Sequence, residues 1–255
     1  MTPRHRAPTR DRRALRAALL ACATLAAIPA RAEPVRAVVE LFTSQGCGAC
    51  RSADPVLRDL AHKPGVIALT LPVTYWDYLG WKDTLALRPL TERQRAYARG
   101  RGARQVFTPQ VVVDGNGFAV GSDRPALERL IRDACQHGGL PVPVRGETKG
   151  DRILVEVGAA PEARTEIRGD VWLVPVLRSR AIAIQAGENG GRTATYVNVV
   201  RGMQRLGPWT GQPARFEVPD TQARVADADS WVVLLQGAAD GKPGRIFGAA
   251  KGPGL

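Results

Sequence analysis

Two cysteines three positions apart, Cys47 and Cys50, stand where an apolar run gives way to a helix-like segment. The run before them, Val35–Ser44, is rich in β-branched residues and is typical of a buried strand. The segment after Cys50 has apolar residues at helical spacing and ends at Pro64-Gly65. A strand that turns directly into a helix favours an α/β fold. The cysteine pair at that turn is compatible with redox exchange, a metal site or a structural disulfide.

The first 32 residues differ from the rest of the chain. A basic leader precedes a short stretch of small apolar residues, Ala17–Ala30, and Ala30-Arg31-Ala32 matches the pattern of a cleavage site. Residues 1–32 are therefore predicted to be a secretory signal peptide, and the mature protein is expected to be periplasmic or secreted. Sec export is favoured over twin-arginine export through Arg12-Arg13 and over a lipoprotein anchored at Cys22.

Charge and hydropathy narrow the expected partners. The chain carries 36 Lys and Arg against 24 Asp and Glu, a net charge of +12, and residues 1–32 hold seven arginines and one aspartate. Subtracting that +6 leaves +6 for the mature chain, whose basic residues form no run and no recognition motif. We expect no nucleic-acid partner. No stretch reaches the ~20 apolar residues of a membrane span, so no stable membrane insertion is expected after signal cleavage.

The placement of the cysteine pair favours redox exchange among the three alternatives. The unpaired N–H groups and dipole of a helix N-terminus stabilise a thiolate at Cys47, which is nearer the helix end and is expected to be the more exposed nucleophile. Cys50, one turn further in, would resolve the mixed disulfide. A structural disulfide here would close too small a loop to constrain the unfolded chain much. A metal site has only Cys135 and His137 as further clustered ligands, far along the chain.

Cys135 is the third cysteine of the mature chain. It lies on the apparent core side of an amphipathic helix, and we expect it to be a buried, inert thiol.

The segments after the cysteine pair predict a mixed sheet with helices on both faces. A second strand is predicted over Val66–Trp76 and a helix over Pro89–Gly102. A hairpin follows with Asp114-Gly115 as its turn, and Ser122 or Asp123 caps a closing helix.

The pattern changes after this helix. Residues 138–151 have the composition of a linker, and six or seven short strands follow, separated by glycine, proline and polar clusters. This spacing predicts a β-rich, sandwich-like second domain, although Val199–Gly207 also suits a short helix. We therefore predict an α/β domain at 33–139 and a smaller β-rich domain at 140–255.

Thr108-Pro109 directly precedes the third strand. Together with an upstream Cys-x-x-Cys at a strand–helix junction, this arrangement resembles the thioredoxin fold. The resemblance implies a cis Pro109 facing Cys47 and Cys50, with the Thr108 backbone offering hydrogen bonds to an extended peptide. Gly48-Ala49 between the cysteines matches neither the Gly-Pro of thioredoxins nor the Pro-His of periplasmic oxidases, so the direction of electron flow is not indicated.

Several stretches together resemble the domain of unknown function 1223, a family of secreted bacterial proteins in the thioredoxin-like superfamily. They are ELFTSQGCGAC, YWDYLGWKD, ERQRAYA, FTPQVVVDG and GENGGRTATYVNVVR. The resemblance extends over nearly the whole mature chain and implies a thioredoxin-like mixed sheet with flanking helices.

Two further segments have two interpretations each. Thr74–Asp83 concentrates aromatic side chains, which either close the edge of the core or, through Tyr75, Trp76 and Trp81, form a wall of a peptide groove beside Pro109. Gly187–Tyr196 is most simply a hairpin loop, but its glycines and Arg192 would also suit an anion site or a contact with the first domain.

The sequence thus predicts an exported thiol–disulfide oxidoreductase in which Cys47 is the nucleophile, Cys50 resolves and Pro109 forms the substrate platform, with no cofactor and no metal. Its partners would be protein or peptide thiols and disulfides, and an unknown redox partner. The alternatives are a thioredoxin-fold binding or structural module with a static disulfide, and a copper chaperone.

Overall fold

The computed structural model describes residue 2, residues 34–239 and residues 241–255. The predicted signal peptide, residues 1–32, lies outside the described residues apart from residue 2. Within the described part, no helix is long and apolar enough to cross a membrane.

In this range the α-helices are α1 (Ala53–Ala61), α2 (Arg88–Gly100) and α3 (Arg124–Gln136). The strands are β1 (Ala37–Thr43), β2 (Val66–Pro72), β3 (Gln110–Val113), β4 (Gly117–Val120), β5 (Val144–Lys149), β6 (Arg152–Val157), β7 (Gly169–Ile184), β8 (Arg192–Val200), β9 (Gln204–Trp209), β10 (Ala214–Pro219), β11 (Ser230–Ala239) and β12 (Lys242–Lys251).

A nine-stranded mixed sheet joins strands from both halves of the chain. Its order is β12-β11-β7-β8-β2-β1-β3-β4, and β9 pairs with the first part of β7. β2 runs parallel to β1 on one side and to β8 on the other, where Thr70 is opposite Val199. The other strand pairs of this sheet are antiparallel. The segments 33–139 and 140–255 thus share one sheet, and the chain from Glu33 onward forms one compact unit.

Each face of the large sheet is covered. One face packs against α2 through a continuous core that includes Phe42 of β1, Leu69 of β2 and Leu234 of β11. On the other face, α1 and α3 cover β1 and β3. The small antiparallel sheet β10-β6-β5 covers β7 and β11 on that same face. Alternate side chains of each strand point to opposite faces, so β7 and β11 contribute one set to the α2 face and the other set to a core shared with the small sheet. This second contact is therefore a two-sheet sandwich.

The predicted fold class is confirmed as a mixed α/β sheet with flanking helices and a second, smaller β layer. Two predictions made from a few adjacent residues, a turn and a helix cap, are confirmed. Asp114 (φ 48°) and Gly115 (φ 70°) form the left-handed turn between β3 and β4. Asp123 caps α3 by accepting a hydrogen bond from the Ala126 N–H at 3.0 Å.

Three predicted boundaries were wrong. β2 ends at Pro72, and the aromatic residues after it form turns and a short 3₁₀ helix. The segment predicted as a linker contains β5, which pairs with β6 across the two-residue turn Gly150-Asp151. Gln204–Trp209 is a strand, not part of a helix, because it pairs with β7. In the last two cases, pairing with a neighbouring strand decided the conformation.

A buried polar cluster ties the two halves together; we call Glu40, Arg93, Tyr97 and Gln236 the closed cluster. The Glu40 carboxylate accepts from Arg93 Nε at 2.7 Å and from the Tyr97 hydroxyl at 2.7 Å. Arg93 Nη2 also donates to Gln236 Oε1 at 2.9 Å, and Gln236 Nε2 donates to Tyr97 Oη at 2.7 Å. None of these side chains has a buried polar atom without a partner.

Candidate functional site

The cysteine pair lies at the start of a helical segment directly after β1. Cys47 is the N-cap residue of a 3₁₀ turn, Gly48–Ser52, that continues into α1. Cys47 and Cys50 form a disulfide, with their Cα atoms 5.4 Å apart. Each is only 1% exposed. The expectation that Cys47 is the more exposed cysteine is therefore wrong, because distant parts of the chain cover it.

Pro109 faces the pair as the resemblance implied. The Thr108–Pro109 peptide bond is cis. Cys47 Sγ lies 3.8 Å from the Thr108 carbonyl oxygen. The Trp76 indole donates from Nε1 to Thr108 Oγ1 at 2.7 Å, which places one aromatic ring of Thr74–Asp83 directly beside this peptide.

The other rings of this segment divide between two positions. Tyr75 lies next to Trp76, with ring centroids 6.2 Å apart, and so belongs to the Thr108 side. Trp81 instead donates from its indole Nε1 to Gln45 Oε1 at 2.9 Å, on the other side of the cysteine loop. Tyr78 is 78% exposed. The substrate-binding role of Tyr75, Trp76, Trp81 and Thr108 stays a prediction.

Gln45 forms the most hydrogen bonds in the loop that carries the cysteines, residues 44–50, and no sequence pattern singled it out. Its backbone N–H donates to Asp83 Oδ2 at 2.8 Å. Asp83 Oδ1 in turn accepts from the N–H groups of Leu85 and Ala86, at 2.8 and 3.1 Å. Burial raises the pKa of Asp83, and these backbone donors oppose that increase. Residues 81–86 therefore hold the loop from one side.

The loop between β7 and β8 holds it from the other side; we call Gly187–Gly191 the latch. Glu188 Oε2 accepts from the Gly48 N–H at 2.8 Å. The Asn189 side-chain Nδ2 donates to the carbonyl oxygens of Gln45 and Cys47, at 2.9 and 3.0 Å. The segment does contact the N-terminal half of the chain, but through Glu188 and Asn189 and not through the predicted glycines and Arg192. The sequence did not predict the contacts of Glu188 and Asn189, because the residues around a hairpin loop do not indicate which surface the loop packs against.

The comparisons with known proteins identify the family. The family described as protein of unknown function (DUF1223) matches residues 38–236. This chain belongs to that family. A crystal structure of protein AGR_C_4864 from Agrobacterium tumefaciens is similar, with a TM-score of 0.78 and 34% identity, and the match covers 88% of this chain and 96% of that one. HBP35 of Porphyromonas gingivalis shares the fold at a TM-score of 0.57 and 12% identity, over 86% and 74% of the two chains. No curated protein matches the sequence.

Asp54 is a titratable group of this DUF1223 protein with a strongly raised pKa close to the cysteines. It follows Cys50 by four residues, about one helical turn. Its Oδ1 accepts a hydrogen bond from Thr43 Oγ1 at 3.2 Å. Burial raises the pKa of Asp54 to about 7, against the opposing effects of Thr43 and the nearby Arg58. The carboxyl therefore exchanges its proton near neutral pH, a property that perturbed groups often have at functional sites.

Cys135 does not approach the disulfide. Its Sγ lies 3.9 Å from the Arg36 carbonyl oxygen, just before β1, whereas Cys47 follows the far end of that strand. Seven strand residues span about 20 Å. Cys135 is a free thiol and is only partly buried, so the expectation of a buried thiol is wrong. In the part of the chain that the structure describes, no group of three or more His, Cys, Asp or Glu side chains is arranged to hold a metal ion.

Proposed function

We propose that this protein is an exported thiol–disulfide oxidoreductase, acting in the periplasm or outside the cell through Cys47 and Cys50. One observation carries the proposal. The disulfide lies at the start of a helix, and Cys47 Sγ is 3.8 Å from the carbonyl oxygen of a cis Thr108–Pro109 peptide. A purely structural disulfide would not need a backbone platform beside one of its sulfurs.

The chemistry is an exchange of two electrons between dithiol and disulfide. In the reduced protein, the Cys47 thiolate attacks one sulfur of a substrate disulfide, which releases one substrate thiolate and forms a mixed disulfide. The Cys50 thiolate then attacks Cys47 Sγ, which releases the second substrate thiolate and restores the Cys47–Cys50 bond. The substrate gains two electrons and the protein loses them. The reverse sequence oxidises a substrate dithiol.

Asp54 suits the proton transfers of this exchange. Cys50 must lose a proton before it attacks and regain one when the bond is reduced. A carboxyl one turn along the same helical segment, with a pKa near neutrality, can accept and return that proton. Asp54 would then act on Cys50, while Cys47 depends on the helix start for its thiolate.

The surroundings of Thr108 favour a polypeptide substrate with acidic residues. A cavity of about 490 Å³ adjoins Tyr75 and is lined by Arg95, Arg99 and Arg104, among others. Phe107, beside Thr108, is 41% exposed and offers an apolar contact. An extended peptide that meets the Thr108 backbone would lie close to these arginines.

The burial of both sulfurs favours a second candidate function, a binding or structural module with a static disulfide. Cys47 and Cys50 are 1% exposed, and the latch bonds directly to Gly48 and to the Cys47 carbonyl. Under the redox proposal the latch has to move before a substrate sulfur reaches Cys47. The copper-chaperone alternative gains no support from the described residues.

The decisive experiment is trapping of a mixed disulfide. All variants carry Cys135→Ser, which removes the third thiol. Reduced Cys50→Ala is expected to form a stable mixed disulfide at Cys47 with a disulfide-bonded acidic peptide, detected by intact mass. The matched Cys47→Ala variant is expected to trap at least ten times less, because only Cys47 is the N-cap residue, where the free N–H groups of the helix start stabilise a thiolate. If Cys47 in the Cys50→Ala protein forms no adduct and alkylates no faster than a free cysteine, the static module is the correct function.

A further inference from the structure

A second cavity lies on the other side of the cysteine loop, between the α1 region and the β7–β8 hairpin. Its volume is about 270 Å³. Three arginines line it: Arg51 and Arg58 from the helical segment, and Arg192 from the first position of β8. We call it the arginine cavity.

The three guanidinium groups are electrostatically unbalanced. Some arginines elsewhere, such as Arg180 and Arg201, pair with carboxylates, and others do not. Among the residues that the structure describes, no carboxylate forms an ion pair with Arg51, Arg58 or Arg192. Arg58 Nη2 donates to the Thr195 carbonyl at 3.1 Å, but its buried Nε has no partner.

Asp54 is the one carboxyl among the described lining residues. It is nearly half protonated at neutral pH because burial raises its pKa to about 7. It therefore offsets only part of the positive charge of three arginines, which leaves a net attraction for anions.

Two further lining residues are buried polar side chains with unused hydrogen-bonding capacity. Asn189 is 4% exposed, and its Oδ1 has no partner although its Nδ2 holds the cysteine loop. The Tyr196 side chain is 3% exposed, and its hydroxyl forms no hydrogen bond with the described residues, although this oxygen itself is not fully buried. Buried polar atoms are nearly always paired in folded proteins, so unpaired ones that line a cavity indicate a ligand.

We propose that the arginine cavity binds a small carboxylate that also carries a hydroxyl or ammonium group, such as a hydroxy acid or an amino acid. Guanidinium groups bind carboxylates through paired hydrogen bonds. Asn189 Oδ1 accepts a hydrogen bond from the second group of the ligand, and the Tyr196 hydroxyl contacts the carboxylate. A volume of about 270 Å³ is below the usual range for drug-sized ligands and limits the ligand to a small metabolite. The site does not require redox activity, because both cysteines are absent from its lining.

Isothermal titration of the oxidised full-length protein tests this assignment with three probes: L-malate, succinate and inorganic phosphate. Malate and succinate have the same charge, but only malate has a hydroxyl group. We expect malate to bind at least ~10-fold more tightly than succinate, because succinate leaves the Asn189 oxygen unpaired. Phosphate, which carries no carboxylate, tests whether the arginines attract any small anion.

Three variants locate the binding. Arg58→Gln and Arg192→Gln are each expected to weaken malate binding at least ~10-fold, since each removes a charge-assisted contact. Arg215→Gln removes the same charge from an exposed position on β10 and is expected to leave binding unchanged. Tyr196→Phe, which keeps the ring and loses only the hydroxyl, is expected to weaken binding several-fold. Thermal melting of each variant checks that it is folded.

The outcomes decide the proposal. It is overturned if malate does not bind at millimolar concentration. It is also overturned if malate, succinate and phosphate bind equally and sodium chloride displaces all three, which would indicate unspecific attraction to a basic surface. Equal weakening by Arg215→Gln and Arg192→Gln would likewise overturn it. None of these results bears on the mixed-disulfide experiment, so the two proposals fail separately.

Discussion

The closed cluster and the cysteine site are both buried and polar, yet they are built in opposite ways. In the closed cluster, Glu40 and Arg93 form a buried ion pair, and every buried polar atom of the cluster has a partner. Around the cysteines, hydrogen bonds hold the backbone of the loop, but some buried side-chain polar atoms have no hydrogen-bond partner. Among the described residues, five buried side-chain polar atoms lack a partner, and three of them belong to Arg58, Tyr75 and Asn189.

This difference separates stability from function. A fully paired buried network makes one conformation specific, and any single deletion leaves a charge without a partner. Unpaired atoms cost free energy in the isolated protein, and such a cost is commonly found at sites that bind something else. The closed cluster is therefore expected to control unfolding, and the cysteine site to control reactivity.

The largest effect is expected from breaking the closed cluster. Glu40→Gln leaves the buried Arg93 guanidinium without its counter-charge, and the free energy of unfolding should fall by about 3 to 5 kcal/mol. Urea unfolding measures this loss. Glu92→Gln, which breaks the exposed Arg95–Glu92 pair of the same helix, should cost less than about 1 kcal/mol. The comparison fails if Glu40→Gln changes the rate at which a small thiol reduces the disulfide while stability is unaffected.

Asp54→Asn is expected to raise stability at alkaline pH. Below about pH 4 the carboxyl is protonated in both the folded and unfolded states. Between pH 4 and 7 the folded protein retains a proton that the unfolded chain has lost, so the folded state loses stability as the pH rises. Above pH 7 the full cost is present. The variant should be more stable than the parent by up to about 4 kcal/mol at pH 8 and close to it in stability at pH 4.

Asp59→Asn provides the control for this pH dependence, because Asp59 is on the exposed side of the same helix. Asp59→Asn should leave the difference in the free energy of unfolding between pH 4 and pH 8 as it is in the parent. Part of the dependence will persist in Asp54→Asn, because burial also raises the pKa of Asp114, to about 6. The raised pKa of Asp54 would be contradicted if the free energies of unfolding of the parent and Asp54→Asn differed by the same amount at every pH from 4 to 8.

Asn189→Ala should loosen the latch. The variant loses both hydrogen bonds to the cysteine loop, with a cost in stability of about 1 to 2 kcal/mol. Because the sulfurs become easier to reach, reduction of the disulfide by a small thiol should accelerate by about tenfold, measured by stopped alkylation and mass spectrometry. Glu188→Gln keeps an acceptor for the Gly48 N–H and should accelerate reduction much less. Unchanged reduction in Asn189→Ala would mean that the latch does not limit access.

Gly48→Ala is expected to give the smallest effect. A Cβ at position 48 would lie 2.6 Å from Glu188 Oε2, which is the end of a flexible side chain that can move away. The free energy of unfolding should fall by less than about 1 kcal/mol, with a modest increase in the rate of disulfide reduction. Gly100→Ala, where a Cβ meets nothing within 4 Å at the end of α2, should be neutral or slightly stabilising. Greater destabilisation at position 100 than at position 48 would contradict this account.

The sequence predicted what is encoded by neighbouring residues. The Asp114-Gly115 turn, the Asp123 cap and the cysteine pair at a strand–helix junction each depend on a few adjacent positions, and each is present. The family resemblance added the cis Pro109 opposite the pair. Contacts between distant segments were not predicted. Thr70 of β2 donates to the Val197 carbonyl at 2.6 Å, although the two residues are 127 positions apart.

The burial of Cys47 was missed for the same reason. A cysteine at a helix start is usually accessible, but here Thr108 and Asn189, both distant in the sequence, contact Cys47. Asp54 was not singled out by the sequence. Its pKa is raised by burial, and α1 packs against β8, a contact that no spacing along the chain indicates.

The parallel pairing of β2 with β8 bears on how the protein is made. Every residue of β2 is buried, and without β8 one edge of this apolar strand would present free N–H and C=O groups. Such edges recruit other strands and promote aggregation. A chain synthesised from its N-terminus carries this open edge until residues near 200 are available. The same part of the chain brings the latch to the backbone of residues 45–48, so the nascent protein closes its aggregation-prone edge and fixes the loop that carries Cys47 in a single late step.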